Sequence, residues 1–307
     1  MRWASAGAPL PPQRPPPPPA KKGGGCLRVV LVLLGGSFLL CCCLMTALVE
    51  SADDPLDWNQ VTKVVPPDLG PSTSLGVALV PEELPPAAAR EYRWRQRLTA
   101  WSLGYGVSRQ VHERVEADFT ELAERFDYRP GTGTQFTWAP PPSCRNREWE
   151  CIFSELAQAN ADDVAPLTEL FRRRQQGEAL DAREATELVV SFIQGITYRL
   201  PTEETAAFGM LPPTVVAADG SGDCDSKALL AVVMLRQLGV DAQVLLASGL
   251  GHAALGVALP VPGKKFSLGK KKYAFVEVTT PGWGLGQLPP EYDVPNAWRV
   301  VPVTMPE

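Results

Sequence analysis

The sequence predicts an α+β domain in which helices come first and an antiparallel sheet follows, and three observations predict it. Apolar residues recur at helical spacing between about 111 and 196. Val111, Val115, Phe119, Leu122 and Phe126 share one face, and Leu188, Val189, Phe192, Ile193 and Ile196 share another. A nearly all-apolar helix, DSKALLAVVMLRQLG, is then closed by Gly239 in a C-terminal capping position. Beyond it the texture changes to short β-branched runs, VDAQVLLA, GHAALGVALPV and KYAFVEVTT, broken by glycine and proline as strands are. The chain has no βαβ alternation and no internal repeat.

Taken in order, residues 1–22 hold the tract Pro15–Pro19 with Pro9, Pro11 and Pro12 nearby, a composition that favours extended polyproline structure and builds no core. They read as a cytoplasmic tail that can recruit a partner. Residues 23–50 form a transmembrane anchor. From Val29 to Val49 the chain carries no charge, and about 20 helical residues span the hydrocarbon core. Cations lie before this run and Glu50, Asp53, Asp54 and Asp57 after it, so the positive-inside bias puts the N-terminus in the cytoplasm and the remainder outside. A cleaved signal peptide is the rival reading. Cys41, Cys42 and Cys43 read as small hydrophobes of the span, with lipidation the alternative. Residues 51–90, with Pro66, Pro67, Pro81, Pro85 and Pro86, read as a stiff, mostly irregular linker.

The folded domain is expected over 91–307. Its first helix ends at the turn Tyr128–Gly131, a second covers about Glu155–Gln175, and a third starts at Asp181, with Glu184 placed for a capping box, and ends before Pro201. Net charge excludes one class of partner. Arg2, Arg14, Lys21, Lys22 and Arg28 give +5 of a formal total of -5, leaving -10 on the rest, the wrong sign for a nucleic-acid protein.

Of seven cysteines, four fall in the membrane segment, leaving Cys144, Cys151 and Cys224 outside. Cys144 and Cys151 can pair in an oxidising compartment, which makes Cys224 the leftover thiol. Cys224 follows Gly220, Ser221, Gly222 and Asp223 at the start of the apolar helix. There the helix dipole is expected to lower the thiol pKa, free amides can hold an oxyanion, and Asp223 can cap. A buried small hydrophobe is the bland alternative.

The chain has only two histidines. His112 lies among charged neighbours and reads as a solvated helix residue. His252 opens an apolar strand, where an imidazole is out of pattern and needs a partner. The antiparallel return YAFVEVTT brings Glu277 toward it, a carboxylate suited to orienting the base, with Asp293 the weaker candidate. Tyr198 reads as a core aromatic, with a cleft role as the alternative. Lys264, Lys265, Lys270, Lys271 and Lys272 read as a basic hairpin tip near the site, solvated or meeting an anionic substrate or headgroup. Trp283 is expected to pack beneath the sheet. No cofactor or metal is called for: two distant histidines and no CxxC pair make a poor zinc set, and no phosphate loop or dinucleotide fingerprint is present.

The order GDCDSKALLAVVMLRQLGV, GHAALGV, YAFVEVTTPGWGLG resembles the transglutaminase-like superfamily, especially its bacterial and archaeal cysteine-protease branch, and the likeness covers about residues 185–286. It implies a papain-like core with Cys224 as nucleophile, His252 as general base and acid, and Glu277 as orienting carboxylate. Many members have aspartate at the third position, and an aromatic residue shortly after the histidine where this chain has Ala253 and Ala254. The expected function is a membrane-anchored thiol-dependent acyl-transfer enzyme acting on a peptide or protein, by hydrolysis or transamidation. The alternatives are a catalytically silent domain of the same fold that binds a peptide, glycan or protein, and a scaffold acting through its proline-rich tail.

Overall fold

The computed structural model describes residues 71–131, 136–200 and 206–305. The tail, the membrane segment and most of the linker lie outside the described residues. Among those described, no helix is long and apolar enough to cross a membrane.

The first elements correct the sequence reading. Strand β1, Thr73–Val80, lies within the stretch expected to be irregular, and Glu91, the expected domain start, is inside β2, Arg90–Gln96. A tight turn at Arg97 and Leu98 leads to β3, Thr99–Val107, and the sheet order is β1-β3-β2, with β1 parallel and β2 antiparallel to β3. A three-stranded sheet therefore precedes the helices. The flanking prolines hide it, but none stands between Pro71 and Pro81, and Leu75 and Val80 pack on the core. In β2, buried Tyr92 and Trp94 alternate with exposed charges, the period of a strand with one wet face.

Helix α1, Arg109–Arg125, starts at Ser108, whose hydroxyl accepts the Val111 N–H, and buries Val115, Phe119 and Leu122 as the periodicity predicts. Short strands β4, Arg129–Pro130, and β5, Phe136–Thr137, pair after it. Cys144 and Cys151 form a disulfide with Cα atoms 5.9 Å apart. Helix α2 runs Glu148–Gly177, beginning about two turns earlier than expected because Trp149, Ile152 and Phe153 find burial there. Helix α3, Ala182–Gly195, opens on the Asp181–Glu184 capping box.

Strand β6, Thr197–Tyr198, helix α4, Pro213–Asp219, and strand β7, Ser221–Gly222, then deliver the chain to α5, Cys224–Gln237. From Ala228 to Leu235 every side chain of α5 is fully buried. Each Leu, Val or Met there is worth about 1.5–3 kcal/mol of transfer free energy, so α5 anchors the fold. Against it lies an antiparallel sheet of β8, Ala242–Ala247, β9, His252–Val257, β10, Lys265–Leu268, β11, Lys271–Val276, and β12, Arg299–Val301, in the order β10-β11-β9-β8-β12. Helix α5 and strand β9 are both central. Their adjoining ends bring Cys224 and His252 together.

Candidate active site

A tight passage between two helices places Cys224. Gly220 ends α4 at φ +65, a left-handed conformation that favours glycine, and a Cβ on Gly222 would come within 3.2 Å of Ser226 and Val216. Asp223 is the N-cap of α5: its Oδ1 accepts the Ser226 N–H at 3.3 Å and the Ser226 hydroxyl in a short bond. Cys224 is thus the first residue of the helix, 8 % exposed, and its sulfur accepts the N–H of Ala253, the residue after His252.

The electrostatics overturn one expectation. Burial, together with the Asp225 and Asp223 carboxylates, pushes the Cys224 thiol well above its ordinary range, against the lowering expected of a helix start. The dipole contributes about 0.3–1 kcal/mol at most sites, too little to oppose desolvation beside two acids. Asp223 and Asp225 are themselves raised by burial and hydrogen-bond to each other. In the resting site Cys224 is a neutral thiol.

His252 and Glu277 meet as the sequence predicts. Gly251, at φ +59, turns the chain into β9, where His252 pairs with Ala247 at the sheet's end. Strand β11 leaves the ladder after Val276, so the Glu277 side chain is free to turn toward the imidazole, and Oε2 lies 3.1 Å from His252 Nε2. The other oxygen accepts the Thr279 N–H at 2.7 Å and the Thr279 hydroxyl. Glu277 is 1 % exposed; burial raises its pKa, but the hydrogen bond and charge of His252 and the Thr279 donors outweigh that and hold it below the usual range. An ionised Glu277 only accepts, so Nε2 carries the hydrogen and Nδ1 is left as the basic nitrogen. Gln194 from α3 fixes the turn by donating to the carbonyls of Glu277, at 2.8 Å, and Trp283, at 3.0 Å.

Several surrounding residues are not where the sequence suggested. Tyr198 is no core aromatic: it is 48 % exposed, pairs with Gly222 across β6 and β7, and its phenol is pushed up by burial and by Cys224. Asp293 is bonded to Lys264 and takes no part in orienting His252. The lysine-bearing turn at Gly269 and Lys270 is at the far end of β11 from Glu277, roughly 20 Å along the strand, and not beside the site. Lys271 there is tied to Asp241. Trp283 is half-buried. His112 is half-buried between Glu116 and Asp219, 3.6 and 3.7 Å away, a less solvated setting than expected. Among the described residues no cluster of His, Cys, Asp and Glu is suited to hold a metal ion.

Tyr292, Thr279, Gln194 and Lys227 are site residues that the sequence pattern does not point to. The Tyr292 ring stacks on the imidazole at 4.2 Å, and the segment carrying it is held by Trp298, whose indole donates to the Tyr292 carbonyl at 2.9 Å. Only a lysine in the first turn of an otherwise apolar helix could have drawn attention to Lys227. Together the arrangement offers a thiol, an oriented base and a ring on either side, which suits attack on a carbonyl.

Residues 169–285 match the family model described as the transglutaminase-like superfamily. No curated protein matches the chain. A crystal structure of a candidate protease from Parabacteroides distasonis is similar at 13 % identity with a TM-score of 0.29, covering 66 % of this chain and 41 % of that one. The chain thus spans about two fifths of that protein's length. The part of the α+β core that carries Cys224, His252 and Glu277 is thus the part that matches the transglutaminase-like superfamily.

Proposed function

We propose that the domain is a thiol-dependent acyl-transfer enzyme in which Cys224 is the nucleophile, His252 the general base and acid, and Glu277 the carboxylate that orients it. The observation carrying this reading is the 3.1 Å bond from His252 Nε2 to a buried Glu277, on the strand whose next N–H reaches the Cys224 sulfur. Because the resting thiol is neutral, its proton passes to His252 as sulfur bonds to the amide carbonyl carbon. His252 then protonates the departing amine, the C–N bond breaks, and a thioester remains on Cys224. Water or a second amine resolves it and regenerates the thiol. At the start of α5 the Ser226 and Lys227 N–H groups are taken by Asp223, so in this proposal the oxyanion falls to the Cys224 N–H ahead of them.

The substrate we propose is a peptide or protein with apolar side chains near the scissile bond. Tyr198, Leu200 and Val294 are exposed apolar residues on the segments bordering Cys224 and His252. The negative charge of Glu277 and of the Asp223–Asp225 pair disfavours an anionic acyl group. In the same proposal residues 29–49 anchor the chain, with the N-terminus cytoplasmic and the domain outside.

A second reading is favoured by the burial of the thiol: a silent domain that binds a peptide without turning it over. A peptidyl vinyl sulfone with an apolar side chain separates the two, read by mass spectrometry of the Cys224 peptide. An enzyme alkylates Cys224 at least tenfold faster than His252→Gln does. Equal rates in the two proteins, no faster than glutathione, support the silent domain.

A further inference from the structure

Lys227 is 0 % exposed and stands one helical turn after Cys224, on the same side of α5. Lysines on buried helices usually keep the ammonium in water while the stem packs, and a cation in the first turn of a helix opposes the dipole. Neither consideration explains this position. Nζ turns inward and donates to the carbonyl of Ile196, at 2.8 Å, and toward that of Thr279, at 3.5 Å. Ile196 leads into β6 and Tyr198. Thr279 is the residue whose N–H and hydroxyl hold Glu277. Two carbonyl dipoles do not neutralise a buried ammonium, which needs an anion, and the carboxylate acting on it is Glu277.

We infer that Lys227 is a positioning residue of this site, the buried counter-charge of Glu277, which lets that carboxylate orient His252 without forcing a proton onto it. The inference rests on the reading of Cys224, His252 and Glu277 as one site. It accounts for the charge balance of the corner. The titratable groups there are Glu277 after β11, His252 on β9, Cys224 with Asp223 and Asp225 at the start of α5, Tyr198 on β6 and Tyr292 beyond the sheet. With Lys227 charged and Glu277 ionised, the buried charges balance without requiring a proton on His252, which faces a neutral thiol. Without Lys227, the balancing charge has to come from the imidazole already 3.1 Å away, and His252 is held protonated and useless as a base. Burial pushes Lys227 down to about 8 and Glu277 opposes it, so the ammonium persists at neutral pH.

The test needs no catalysis. His112 and His252 are the only histidines, so the imidazole of His252 in the full chain can be titrated by NMR and assigned by His112→Gln. Lys227→Met, similar in length and apolar, should raise the His252 midpoint by at least one pH unit, a tenfold change in its proton affinity. Glu277→Gln should lower that midpoint, and the double variant should fall between them and recover melting temperature relative to Lys227→Met alone. A single variant that fails to fold leaves the double variant, with both charges removed, as the readout: its midpoint must then lie within half a unit of the wild type. A folded Lys227→Met with an unchanged midpoint, or a double variant outside that range, overturns the inference. If the midpoints move as stated but Cys224 never reacts with the vinyl sulfone, the acyl-transfer reading fails and the role of Lys227 stands.

Discussion

Arg109 and Glu113 on α1, and His252 and Glu277 at the end of the sheet, are both pairs of opposite charge type in hydrogen-bond reach, at 2.7 and 3.1 Å. Their side chains are 91 and 59 % exposed in the first pair, 7 and 2 % in the second. Water competes for every donor of the first pair, and salt screens it. Around the second the carboxylate has been stripped of water and depends on Thr279, His252 and the Lys227 charge. The helical half of the domain, with Arg97–Glu187, Arg125–Glu155 and Arg183–Glu187, is dressed with pairs of the first kind. The corner where α5 meets β9 and β11 contains the second kind. The same residue types serve solubility in one region and set protonation in the other.

That contrast can be broken most forcefully at Glu277. Glu277→Ala leaves Lys227 buried without its anion, and chemical denaturation should show a loss of about 3–5 kcal/mol. Opening the Cys144–Cys151 disulfide with paired serines should cost about 2–3 kcal/mol, the loop-closure value for a ring this short, without altering the His252 midpoint. Arg109→Ala should cost under about 0.5 kcal/mol, and that small loss should vanish in high salt. A surface pair worth as much as the buried one would collapse the distinction.

The two buried acid sites should also titrate in opposite senses. Glu277 is held below its unfolded pKa, so its contribution is present above that value and is lost as pH falls through the folded pKa. Asp225 is raised well above its ordinary value by burial and by Asp223, so its contribution is complete below the unfolded pKa and is lost as pH rises through the folded one. Denaturation midpoints of Asp225→Asn against wild type should therefore converge in acid and favour the variant at neutral pH. Those of Glu277→Gln should converge with wild type in acid and favour wild type at neutral pH.

What could be read from the sequence follows the same division between local and non-local causes. Periodicity located α1, and the Asp181–Glu184 box located the start of α3, because those signals are carried by neighbours in the chain. Cys224 and His252 were legible because scarcity made them conspicuous, and Glu277 because an antiparallel return brings it toward His252. Strand β1 was not, since its warrant is pairing with β3 more than twenty residues on, and its proline-rich surroundings argue the other way. The direction of the Cys224 shift was missed because helix position is a sequence property, whereas desolvation by the covering sheet is not. Tyr198, read as a core aromatic, is out, and Lys227, on which the sequence reading is silent, is in. No composition rule buries that lysine, because the Glu277 charge that acts on it arrives fifty residues later.

The acyl-transfer claim is tested most directly by the pH dependence of Cys224 alkylation with the peptidyl vinyl sulfone, wild type against His252→Gln. The account predicts a wild-type rate that reaches a plateau below the pH at which the raised thiol itself ionises, and a variant at least tenfold slower there that accelerates only as that thiol ionises. A wild-type rate that tracks thiol ionisation alone and superimposes on the variant at every pH would contradict it.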